Sequence, residues 1–88
     1  MPYHIPERLL LQSVADEKVI LDPESGNYYT LDAVGSRMLD LLRSTNSIEQ
    51  TVARVVAEFD VSAETAGEDL MELLEQMVQH GLVQKTAG

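Results

Sequence analysis

The chain contains no cysteine. Disulfide staples, zinc–thiolate sites and thiol nucleophiles are therefore excluded. A domain this small that folds without disulfides fits a reducing compartment. Its two histidines, His4 and His80, lie at opposite ends of the chain, so no metal site is expected. His80 reads as a favourable contact at a helix C-terminus. Gly26, Gly35, Gly67, Gly81 and Gly88 never cluster, and a phosphate-cradling loop needs glycines close together. No apolar run approaches the ~20 residues that a membrane span requires. Met1-Pro2-Tyr3-His4 lacks a basic region followed by an apolar stretch, so a secretory signal is not expected and the cytoplasm is the expected location.

Basic residues are scarce. Six Lys and Arg face fifteen Asp and Glu, for a formal net charge of −9. Between Arg54 and Lys85 there is no base at all, while seven acids fall there. Such a stretch repels phosphate backbones and anionic lipid, so neither nucleic acid nor membrane is expected as a partner. Two readings stay open: a solubilising surface, or a surface for a basic or neutral peptide. No activated group in a concave site is nominated either. The serines fit caps and turns, and Glu68 with Glu72 fits a solvated helix face. Neither enzymatic activity nor a cofactor is expected.

What is present is enough for one small domain over residues 1–88, with an ordinary hydrophobic fraction of 44%. Leu9–Val14, Val19–Leu21 and Tyr28–Leu31 are short runs rich in aliphatic, β-branched or aromatic residues, which predict strands. Ala15-Asp16-Glu17 links the first two. Asp22-Pro23-Glu24-Ser25-Gly26 links the second and third, with Pro23 and Gly26 at turn positions. Helical spacing takes over afterwards. Asp32 caps a helix carrying Val34, Met38, Leu39, Leu41 and Leu42. Ser47 with Gln50 reads as a capping box opening a second helix. Ser62 caps a third, which runs to about His80 and stops at Gly81, and Leu82-Val83 follows as an apolar anchor. The expected fold is α+β and winged helix-turn-helix-like: a three-stranded antiparallel sheet followed by three helices.

Two features of this layout point to a docking surface. On a helical wheel, Ala66, Leu70, Leu73, Leu74 and Met77 cluster, and Gly67, Met71 and Val78 widen the apolar sector to about half the circumference. A docking stripe needs only ~100°. The excess edge is either covered by the sheet and neighbouring helices or left open for a partner. The last strand of the meander lies at an edge if strand order follows sequence, and neither Pro nor Lys blocks it. A peptide strand can add there, with main-chain bonds giving affinity and side-chain pockets giving selectivity. Tyr28 and Tyr29 point to opposite faces, one into the core and one free to line a pocket, unless both serve sheet packing. The winged shape also raises DNA binding, but the third helix carries Glu64, Glu68, Asp69, Glu72 and Glu75 and no base.

The stretch Leu21–Gly35 resembles the PqqD-like family, also known as precursor peptide recognition elements of ribosomal peptide biosynthesis. The pattern Gly-x-Tyr-aromatic-x-Leu-Asp/Asn-x-x-Gly-x-x-hydrophobic-Leu is filled by Gly26, Tyr28, Tyr29, Leu31, Asp32, Gly35, Met38 and Leu39. Asp69-Leu70, Leu73, Leu74, Met77 and Gly81-Leu82-Val83 resemble the family's ending, so the likeness spans about residues 9–83. Within it, the Tyr28-Tyr29 element and the free-standing length most resemble the leader-binding proteins of lasso peptide pathways.

The resemblance implies a non-catalytic domain. It would bind the precursor's leader peptide and deliver it to a separate cysteine protease, ahead of an ATP-dependent cyclase. The family also implies an alternative, a chaperone for a radical SAM enzyme as in pyrroloquinoline quinone synthesis. A self-associating interaction module remains a further reading. The implied docking mode is an antiparallel strand added along Asn27, Tyr28, Tyr29, Thr30 and Leu31, packed against Asp69, Leu70, Leu73, Gln76 and Met77 of the third helix. Leaders of this family often carry a Tyr and a Pro a few residues apart, which pockets from Tyr28 or Tyr29 with Leu73 and Met77 would receive.

Overall fold

A computed structural model describes residues 3–85. The sheet arises from a hairpin and a longer return. Strand β2 (Leu10–Val14) and strand β3 (Glu17–Leu21) pair antiparallel across the two-residue turn Ala15-Asp16, so Glu17 already belongs to the ladder. Ala15 takes φ 56°, a left-handed value that a Cβ disfavours. Strand β4 (Tyr28–Leu31) pairs antiparallel with β3. The β3–β4 loop closes on itself: Gly26 at φ 78° donates its N–H to the Asp22 carbonyl, and the Asp22 carboxylate accepts from Glu24 N–H. The order is β2-β3-β4, which leaves β2 and β4 as the edges.

Helices α1 (Ala33–Thr45), α2 (Ile48–Phe59) and α3 (Ala63–Gln79) follow. Each starts where a short polar side chain satisfies an orphan N–H: Asp32 accepts from Gly35, Ser47 from Gln50 and Ser62 from Thr65. The expected capping box is only half formed. The Ser47 N–H is taken by the Thr45 hydroxyl at 3.3 Å, which does the work assigned to the Gln50 side chain. Asn46 and Asp60 end α1 and α2 in left-handed conformations. Helix α3 ends as a Schellman motif. Gly81, at φ 73°, donates to the Val78 carbonyl and Leu82 donates to the Met77 carbonyl, with both Met77 and Leu82 buried.

The inner face of the sheet packs on the helices. Ile20 is fully buried beside Leu39, Leu70, Leu74 and Met77, and Leu31 closes the same core from β4. The Lys18 stem is buried there too. Its ammonium reaches Asp40 of α1 at 2.9 Å, pinning sheet to helix. One feature lay outside the sequence expectation. Strand β1 (Tyr3–His4) pairs antiparallel with strand β5 (Gln84–Lys85), so the two ends of the described chain are tied together. Two-residue strands carry no periodicity to read, and only their long-range partners make them strands.

Candidate functional site: a cleft between a strand edge and a helix

The β4 edge is open, and α3 runs beside it. Alternation turns Tyr29 and Leu31 toward the helices and leaves Tyr28 and Thr30 on the outer face, where Tyr28 is 71% exposed. Leu31 disappears into the core, and the Ser36 hydroxyl donates to its carbonyl at 3.1 Å, fixing the β4–α1 corner. Tyr29 stays half-buried. Its hydroxyl donates to Gln76 Oε1 at 3.2 Å, and its ring meets His80 at 5.2 Å between centroids. These contacts set α3 against the strand and leave a cleft with a cavity at each end.

The cavity at the start of β4 measures about 440 Å³ and is lined by Asn27, Tyr28, Tyr29, His80 and Leu82, with Asp22 and Ser25 from the loop. The one beyond the end of β4 measures about 220 Å³. Its apolar lining comes from Val34, Met38 and Leu73, and its polar lining from Asp32, Asp69, Glu72 and Gln76. Gly35 completes the wall.

The expected peptide-facing residues thus separate into two layers. Asn27, Tyr28, Tyr29, Asp69, Leu73 and Gln76 line the cleft. Thr30 is exposed on the same edge strand. Leu31, Leu70 and Met77 lie beneath, at 4%, 1% and 0% exposure, so their side chains support the cleft from the core. On the far side of α3, Met71 is exposed and Val78 packs on the core.

Glu72 and His80, assigned from sequence to a solvated face and a dipole contact, also line the cleft. The missed signal was spacing. Asp69, Glu72, Leu73, Gln76 and His80 recur at three and four and form one row along the helix. A further cavity of about 410 Å³ lies under the N-terminal segment, against Leu39, Leu42 and Leu74, and is separate from the β4 edge. Among the described residues, no three His, Cys, Asp or Glu side chains gather at a metal-sized site. No helix there is long and apolar enough to cross a membrane.

Fold and cleft together define a small α+β, winged helix-turn-helix-like domain whose third helix borders an open strand edge instead of presenting a basic reading face. The chain belongs to the PqqD family: the family model described as coenzyme PQQ synthesis protein D matches residues 17–83. Among solved structures it is similar to TbiB1 in complex with the TbiA(beta) leader peptide, at 32% identity and TM-score 0.85, over 96% of this chain and 98% of that one. It also shares the fold of a lasso peptide synthetase B1 complexed with the leader peptide, at 18% identity and TM-score 0.86, over 94% of this chain and 98% of that one. No curated protein matches the chain.

Proposed function

We propose that this protein binds the leader segment of a ribosomally made precursor peptide, without catalysing a reaction itself, and presents it to the maturation enzymes of a lasso peptide pathway. The leader adds as an antiparallel strand to β4, with alternate side chains entering the cleft beside α3. The observation that carries this reading is the unblocked β4 edge flanked by α3, with a cavity at each end of the strand. An exposed edge supplies unpaired N–H and C=O groups, and the adjoining helix supplies side-chain selectivity. The likeness to TbiB1, whose structure holds a leader peptide, supports the same reading. The enzymes that receive the bound leader are, on this proposal, a cysteine protease and a cyclase of the same pathway. Cytoplasmic residence belongs to the same proposal.

Calorimetric titration with synthetic leaders of the precursors encoded beside this chain's gene tests the proposal. Micromolar or tighter binding is expected for one leader. N-methylation of alternate leader amides, which removes strand pairing without altering the protein, should abolish it. A folded protein that takes up no neighbouring leader, or that binds N-methylated leaders equally well, would overturn strand addition.

A further inference from the structure

Resting on that reading, we propose that the cavity beyond the end of β4 is a subsite for a basic side chain. The bound peptide then carries a Lys or Arg about four residues N-terminal to the apolar or aromatic residue held at the opposite end of the cleft. The chemistry of the walls is amphipathic. Val34, Met38 and Leu73 offer an apolar surface, while Asp32, Asp69 and Glu72 supply carboxylates. A Lys or Arg has the matching construction, with a long aliphatic stem and a charged tip.

Among the described residues, the ion pairs of Arg8, Lys18 and Arg37 engage Asp22, Glu24, Asp40 and Glu58, and none engages Asp32, Asp69 or Glu72. Asp32 is committed in part, since it accepts the Gly35 N–H at 2.8 Å as the α1 cap. Asp69 and Glu72 are exposed and have no such duty. A docked apolar side chain would strip water from these carboxylates without replacing it, and an acidic one would be repelled. A cation supplies charge-assisted hydrogen bonds in their place.

Order and spacing follow from the strand. The opposite cavity, with Tyr28, Tyr29, His80 and Leu82, holds no such unpaired carboxylate pair and offers aromatic and apolar surface. The Tyr29–Gln76 hydrogen bond lies between the two cavities and divides the cleft. The cavities flank β4, one reaching Asn27 and Tyr28 and the other reaching Asp32. At ~3.4 Å per residue an added strand covers this span in about four residues, and residues an even number apart face the same side. A peptide antiparallel to β4 has its N-terminal part at the Asp32 end, so the basic residue comes first.

The experiment is a double-mutant cycle read by fluorescence anisotropy at low and high salt. The probe is whichever neighbouring leader binds the unaltered protein, with each Lys or Arg replaced in turn by Gln. The protein partner is the double variant Asp69→Asn with Glu72→Gln, and Glu75→Gln serves as a control that removes charge from α3 away from the cleft. One leader position is expected to lose about five- to tenfold in affinity on replacement, and the double variant to lose the same amount. Combining the two should add no further loss, and high salt should erase the difference. A double variant that binds as tightly as the unaltered protein, or no more weakly than Glu75→Gln, overturns the basic subsite while leaving leader binding intact. Absence of binding by the unaltered protein removes the parent reading, and the subsite with it.

Discussion

The two edges of the sheet are built from similar residues and differ in what lies beside them. Strand β2 is held by β3 and is largely exposed, with Leu10 at 53% and Val14 at 61%. Strand β4 is held by β3 and also packs on α1, and its inner residues meet α3 through Tyr29, Gln76 and His80. Both edges offer free backbone groups. Only β4 adds a helix row that can distinguish one side chain from another. An edge alone favours indiscriminate pairing, whereas an edge with a flanking helix becomes a selective cleft.

The sharpest way to break this comparison is to place the same charge on each side. Leu73→Arg puts a guanidinium into the cleft wall, where it occupies the cavity and repels a docked cation, without touching a fully buried position. Leader affinity should fall by ~30-fold or more, with far-ultraviolet circular dichroism unchanged. Leu10→Arg on the β2 side should leave affinity within about twofold. Equal losses from both variants would mean that the edges are equivalent.

A second test concerns what holds β4 in place. Lys18 lies opposite Leu31 in the ladder, and its side chain is 8% exposed. Asp40→Ala leaves that ammonium with only the Ser13 hydroxyl, at 3.4 Å, and should cost about 2 kcal/mol in urea unfolding, because Asp40 itself is partly solvated. Lys18→Met keeps the stem and removes the charge, and should cost less than about 1 kcal/mol. The reverse order would show that the ion pair contributes net stability instead of tolerating a buried stem.

The smallest effect lies in the hairpin on the β2 side. Ala15→Gly relieves a left-handed alanine and should raise stability by about 0.5 kcal/mol, the strain relief being partly offset by the glycine's greater freedom when unfolded. Leader affinity should not change. A destabilised hairpin would show that the Ala15 methyl makes a contact outweighing its backbone strain.

Much of the frame was legible before any coordinates. Caps at Asp32, Ser47 and Ser62 and the Gly81 stop are local chemistry, set within a few residues, and all of them act at their expected places. That Tyr28 and Tyr29 face opposite sides is equally local, whereas Tyr29 being the one turned inward was set by packing on the helices. The cleft was legible only in part. Asp69, Leu73 and Gln76 line it, but Leu31, Leu70 and Met77 lie in the core below. A helical wheel ranks residues by angle, and it does not say how deeply a neighbouring strand covers each angle. Glu72 and His80 were not expected at the cleft because their polarity has an adequate solvent explanation when the helix is viewed alone.

The amino-acid order by itself determined the α+β class, the succession of strands and helices, and the acidic, base-free character of α3. These depend on contacts between residues close in the chain and on composition. Tertiary structure decided three things that composition and periodicity do not carry. It paired Tyr3–His4 with Gln84–Lys85, set α3 along the β4 edge and not the β2 edge, and brought Asp32 within the same cavity as Asp69 and Glu72. Each joins residues far apart in sequence. Such pairings follow from how the whole core closes around Ile20, Leu39, Leu74 and Met77, which no local pattern encodes.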